Sequence, residues 1–167
     1  MRYLFLIITL ALSFWGCNNE NDKTTEAKAV QIENFEIIAD TIINDVIIKN
    51  PDNDEWTDFT LRRLDKNSLV NYIFDAVYEK KLTPYDFFNN SPLTIDDIKN
   101  IEKDPEFSRE NIAKVQYEEA WYYNKDNNTM IKKVHSLMLA YEIYNNQGEI
   151  KGYKPAFKVY FNNQSDE

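Results

Sequence analysis

Val115-Gln116-Tyr117-Glu118-Glu119-Ala120-Trp121-Tyr122-Tyr123, followed after a polar break by Met130 to Tyr144, is the stretch that decides the fold. In its first half Val115, Tyr117, Trp121 and Tyr123 are large, while Gln116 and Glu118 sit between them. That period of two predicts a half-buried strand. Lys125 to Thr129 has the Asn-rich composition of a hairpin turn. Met130 to Tyr144 reads as a long second strand whose odd face carries Ile131, His135, Leu137, Leu139, Tyr141 and Ile143. Its even face, with Val134, Ser136, Met138, Ala140 and Tyr144, is hardly more polar in the middle, which predicts cover on both sides there. A turn at Asn145 to Gly148 and a second break at Gly152 to Pro155 precede a third alternating strand through Phe157, Val159 and Phe161. Sequential strands with short connections favour an antiparallel meander.

Upstream of the meander the period is helical. From Ala29 to Lys49 the residues Phe35, Ile38, Ile42 and Val46 recur at helical spacing and predict a helix, although the density of Ile and Val also suits a strand. Asn50-Pro51-Asp52-Asn53-Asp54 marks a loop, and Trp56, Phe59 and Leu64 a short element expected to dock onto the next helix. That helix is capped by Asn67 or Ser68 and shows a stripe of Leu69, Tyr72, Ile73, Ala76, Val77 and Lys80, ending before Thr83-Pro84. A third helix starts at Thr94, where Thr94 and Asp97 form a capping-box pattern and Leu93 and Ile98 the flanking staple. Pro105 limits it to a few turns. The expected fold is therefore α+β, with amino-terminal helices packed on a small antiparallel β-meander sheet.

The amino terminus carries a different signal. Arg2, the apolar run Tyr3 to Trp15, and Gly16-Cys17 have the charge, length and small-residue-before-cysteine order of a lipoprotein signal, with Cys17 as the lipidated residue. Phe14 and Trp15 depart from the preferred small residues, so ordinary secretory cleavage and an uncleaved anchor stand as alternatives. The run is shorter than the about 20 apolar residues of a membrane helix. Asn18 to Lys28 offers almost nothing to bury and reads as a flexible tether, which makes residues 29–167 a single domain. Glu20 and Asp22 resemble the acidic tags of surface-exported lipoproteins of Bacteroidota, leaving the periplasmic face and the cell surface both open. Anchoring to the outer membrane through lipid is the expectation.

Charge and composition exclude several classes. The chain has 19 Lys and Arg against 28 Asp and Glu, a net charge of −9 that loss of Arg2 makes more negative. Nucleic acid and charge-driven adhesion to anionic lipid are thereby disfavoured. Cys17 is the only cysteine, so no internal disulfide and no thiolate metal site can form. His135 is the only histidine and falls on an apolar strand face, the setting of a core histidine rather than a catalytic base. Three glycines cannot assemble a phosphate-binding loop. Asp52, Asp54, Glu55 and Asp58 are the densest acidic cluster, yet Thr57 stands where an EF-hand needs glycine and Arg63 where it needs glutamate. No enzyme, cofactor or metal is expected. Asp40-Thr41-Ile42 matches a short O-glycosylation acceptor pattern of some Bacteroidota, within a predicted helix. What remains is aromatic: Tyr122, Tyr144 and Tyr153 are the candidates for contact with a protein partner.

Two segments resemble a known family. Glu119-Ala120-Trp121-Tyr122-Tyr123-Asn124-Lys125 with Gly152-Tyr153-Lys154-Pro155-Ala156-Phe157-Lys158-Val159-Tyr160-Phe161 is similar to the end of the gliding-motility family GldN, also called PorN. Ser68 to Val77 with Leu82-Thr83-Pro84-Tyr85-Asp86 resembles the same family upstream, so the likeness runs over about residues 67–161. It implies a non-enzymatic periplasmic structural subunit of the gliding and type IX secretion apparatus, joined to a lipoprotein partner in a ring at the outer membrane. The chain departs from the family pattern in being shorter, in Asn124, in Lys158 and in carrying its own lipidation cysteine. The alternative expectation is a surface lipoprotein that binds a small ligand or glycan through exposed aromatics.

Overall fold

β-Branched density prevails over helical spacing at the start of the domain. The computed structural model describes residues 34–161, and its first element is a strand, β1 (Glu36–Ile47), in place of the helix expected over Ala29 to Lys49. The inward positions of β1 are Ala39, Ile42, Asn44 and Val46. Register shifts on either side of Ala39, with Thr41 at φ +52°, insert extra residues between Ile37 and Ile42. A β-bulge turns a two-residue step into a three-residue one, which is how a strand came to imitate helical periodicity.

Helices α1 (Glu55–Leu61), α2 (Lys66–Tyr78) and α3 (Ile95–Lys103) follow, with the two-residue strand β2 (Pro84–Tyr85) between the last two. The helices are thus central in the chain and preceded by a strand. Asp54 caps α1 through the Thr57 amide at 2.9 Å. Trp56, Phe59 and Leu64 remain exposed and do not dock as expected, Trp56 stacking instead on Phe59 at 5.8 Å between ring centres. Asp65, not Asn67 or Ser68, caps α2, accepting from the Ser68 amide at 3.0 Å. The buried stripe is Val70, Ile73, Phe74 and Val77, sharing Ile73 and Val77 with the expected one and leaving Tyr72 in water. Helix α3 begins as anticipated: Thr94 and Asp97 form a reciprocal capping box, and Ile98 is fully buried.

Strands β3 (Ile112–Asn124), β4 (Thr129–Tyr144) and β5 (Ile150–Tyr160) build the meander. The sheet is antiparallel throughout, in the order β1-β3-β4-β5-β2. The break expected at Gly152 to Pro155 is absent, because β5 runs through it and absorbs the irregularity as register shifts against β4. A further shift between Glu118 and Glu119 leaves His135 as the extra residue of β4. Beyond it the face alternates in reverse, so Ile131 pairs with Tyr122 while Val134 pairs with Glu119.

Helices α2 and α3 cover one sheet face. Val70, Ile73, Phe74, Val77 and Ile98 form a continuous core with Val115, Leu137, Leu139, Tyr141, Phe157 and Val159. Phe74 is central, edge-on to Phe157 at 5.0 Å and 4.1 Å beneath the Arg109 guanidinium. The opposite face carries paired charges. Lys114 meets Asp45 at 2.5 Å, Ser136 donates to Glu118 at 2.5 Å, and Lys158 reaches Glu118 at 3.8 Å. Ser136, Met138 and Ala140 are buried along the middle of β4, in keeping with the expected double-sided cover.

Candidate functional site

Every apolar strand in a sheet centre has a reason to exclude charge, yet Glu142 sits inside β4 with its side chain 1 % exposed. Burying a carboxylate is costly unless it is paired and hydrogen-bonded. The pairing is supplied from outside the sheet ladder. Lys49, just beyond β1, donates to Glu142 Oε2 at 2.5 Å, and the Tyr144 hydroxyl donates to the same oxygen at 2.5 Å. Lys49 also reaches the Tyr144 hydroxyl at 3.4 Å. Among the described residues Glu142 Oε1 has no hydrogen-bond partner.

The electrostatics follow this geometry. Burial works against the Lys49 ammonium, but its hydrogen bonds to Glu142 and Tyr144 outweigh that and hold its pKa above the ordinary lysine value. The Tyr144 hydroxyl is held protonated above its ordinary range by the bond to Glu142, reinforced by burial. Tyr153, which pairs with Glu142 across β4 and β5, is pushed up by burial and then by the Glu142 charge. Lys66 is pushed down by its own burial and by repulsion from Lys49. It is held in place by the Glu110 carbonyl at 2.7 Å.

A cavity of ≈570 Å³ opens beside this cluster, lined by the 49–53 loop, by Glu142 and Tyr144, and by Gly148, Glu149 and Ile150 of the β4–β5 hairpin. Both rims are fixed by local chemistry. Asn50 Nδ2 donates to Asp58 Oδ1 and to the Asp54 carbonyl, each at 2.8 Å, and Asn53 adopts φ +54°. On the other rim Gly148 takes φ +81°, a turn position suited to glycine, and Asn145 Oδ1 accepts from the Gln147 and Glu149 amides at 2.9 Å.

Of the three tyrosines expected to make contacts, Tyr144 and Tyr153 meet around Glu142, and Tyr144 is substantially exposed. Tyr122 lies apart, half-buried and paired with Ile37 and Ile131 toward the other end of the β3–β4 ladder. Lys49 and Glu142 escaped the sequence reading. The available signal was Glu142 itself, a lone acid on the even face of an otherwise apolar stretch of β4. His135 is half-buried, and its carbonyl accepts from the Phe161 amide at 2.9 Å. Thr41 is exposed on the β1 bulge rather than within a helix. Cys17 and the tether lie outside the described residues.

The residues that depart from the resemblance have structural roles. Asn124 is buried and its Oδ1 accepts from the Asp126 amide at 2.9 Å, organising the β3–β4 hairpin. An aspartate could accept the same bond. Lys158 lies 4.6 Å over the Tyr160 ring and replaces aromatic cover with a stem and a charge. Among the described residues no group of three or more His, Cys, Asp or Glu is placed to hold a metal. Nor is any described helix long and apolar enough to cross a membrane.

No curated protein matches the chain. The model of the family described as gliding motility associated protein GldN matches residues 36–166, starting at the first residue of β1, well before the limit of the resemblance read from the sequence. Because that match takes in every strand and helix described above, the chain belongs to the GldN family, and with it to the envelope-associated components of gliding motility and type IX secretion.

Proposed function

We propose that the chain is a non-enzymatic envelope lipoprotein, held to the outer membrane by a lipid on Cys17, that serves as a structural or assembly subunit of the gliding and type IX secretion apparatus. The family match over 36–166 carries the subunit role, and the lipid anchor rests on the order of Arg2, the apolar run and Gly16-Cys17 in the sequence. Support for action through protein contacts comes from the large apolar side chains left in water, Trp56, Tyr72 and Phe88 foremost. Side chains of that size are enriched where a partner removes them from solvent. A ligand- or glycan-binding surface would be expected to use a concave aromatic floor. On the sheet face away from the helices the tyrosines are set against charges of the same chain, Lys114 at 5.7 Å from the Tyr153 ring and Lys158 at 4.6 Å from that of Tyr160, which favours the subunit reading.

Deletion of the gene in its own cells, with readouts of colony spreading and of secreted protein, tests the role. Loss of both, restored by the wild-type chain, is the expected result. Deletion that leaves spreading and secretion intact overturns it. A palmitate analogue fed to the complemented strain should label the wild-type chain and not the Cys17→Ala variant.

A further inference from the structure

We propose that the cavity between the 49–53 loop and the β4–β5 hairpin receives a guanidinium group, the side chain of an arginine presented by a protein partner. This rests on the reading that the chain acts through protein contacts and names the chemistry of one such contact.

The lining is acidic. Among its described lining residues are three carboxylates, Asp52, Glu142 and Glu149, and one ammonium, Lys49, and that ammonium is already committed to Glu142 Oε2 and the Tyr144 hydroxyl. The second oxygen of Glu142 lacks a donor among the described residues although the side chain is almost completely buried. Both groups that satisfy Glu142 act on Oε2, so Oε1 is the unpaired acceptor of a residue that lines the cavity, and a guanidinium reaches it by displacing the side chains that seal it from water. A buried carboxylate oxygen is among the strongest acceptors a protein can offer.

An arginine fits this arrangement better than a lysine. Its planar fork presents five donors, so one group can serve Glu142 and a rim carboxylate together, and it stacks on aromatic faces. Tyr144 lines the cavity and is partly exposed, placing a ring at the mouth. Lys49 disfavours a second compact ammonium beside it more than a delocalised, weakly hydrated cation. The rims are braced by the Asn50 and Asn145 hydrogen bonds, so little ordering is required on binding.

The test uses the full chain labelled with nitrogen-15 and titrated with N-acetyl-L-arginine amide, N-acetyl-L-lysine amide and the uncharged N-acetyl-L-citrulline amide. The expected result is saturable amide shifts at Tyr144, Gly148, Glu149 and Ile150 with the arginine probe, at least tenfold weaker affinity for lysine, and no saturation with citrulline. Glu142→Gln should weaken the arginine probe about tenfold. Because that variant alters a buried residue, Asp52→Asn/Glu149→Gln, confined to exposed positions, serves as a second readout and should weaken it severalfold with the fold intact. Equal responses to arginine and citrulline, shifts elsewhere, or undiminished binding by both variants would overturn the assignment. A negative titration with a working deletion phenotype would dismiss the cavity while leaving the subunit role standing.

Discussion

Replacing Lys49 with methionine keeps the aliphatic stem and deletes the ammonium, and it is expected to cost more than replacing its partner Glu142 with glutamine. The asymmetry comes from burial, since the Glu142 side chain is 1 % exposed and that of Lys49 33 %. Without Lys49, the carboxylate keeps the Tyr144 hydroxyl as its one remaining hydrogen-bond donor among the described residues, and breaking a buried pair in this way costs about 3–5 kcal/mol. Glu142→Gln retains shape and an acceptor oxygen and leaves an ammonium that can reach water, so the loss should be about 1 kcal/mol. The double variant should cost less than the two losses combined, by about 1–3 kcal/mol of coupling. Urea denaturation followed by circular dichroism reads all four proteins at one neutral pH. With a denaturant slope of about 1–3 kcal/mol/M, the Lys49→Met loss moves the midpoint by more than about 1 M. A Lys49→Met cost below about 1 kcal/mol, or one equal to that of Glu142→Gln, would mean that the carboxylate is hydrated and does not depend on its lysine.

Three further perturbations probe the frame that holds the site. Phe74→Ala should lose about 3–5 kcal/mol in the same assay, as it empties the contact between α2 and the sheet; a loss below about 1 kcal/mol would mean that α2 is not packed there. Thr41→Gly should gain about 0.5–1 kcal/mol, since a β-branched residue is strained at φ +52° and glycine is not; a loss would show that the bulge is stabilised by the Thr41 side chain. The Tyr78 hydroxyl, disfavoured from ionising by burial and by its bond to Glu102, has its pKa pushed up to about 12 from 10.0. A folded pKa above the unfolded one means stability that is present below pH 10 and lost as pH rises toward 12, and Tyr78→Phe should flatten that alkaline slope; parallel slopes for the two proteins would count against it.

The meander was legible because β3 and β4 obey a period of two over long stretches, and because Lys125 to Thr129 and Asn145 to Gly148 have turn chemistry at their ends. The start of α3 was legible for the same kind of reason: Thr94, Asp97 and the flanking apolar pair each specify it locally. β1 was misread where bulges break its period, and the face of Ile131 where His135 interrupts that of β4. A bulge has no composition signature strong enough to announce itself. α2 offers two overlapping apolar faces, and packing of Phe74 on Phe107 and Phe157 selects the one through Val70, Ile73, Phe74 and Val77, a choice made by tertiary contact and not by local pattern. The candidate site was half legible. Its tyrosines advertised themselves, but the Lys49–Glu142 pair spans 93 residues of chain and exists only because β1 and β4 both flank β3.

Purification of the intact chain from its own membranes in mild detergent, followed by mass determination of the native species and identification of its components, decides whether the protein works as part of an assembly. The expected result is a species heavier than the chain alone that contains gliding and secretion proteins in fixed ratio. Recovery of the chain by itself from cells that are gliding and secreting would contradict it.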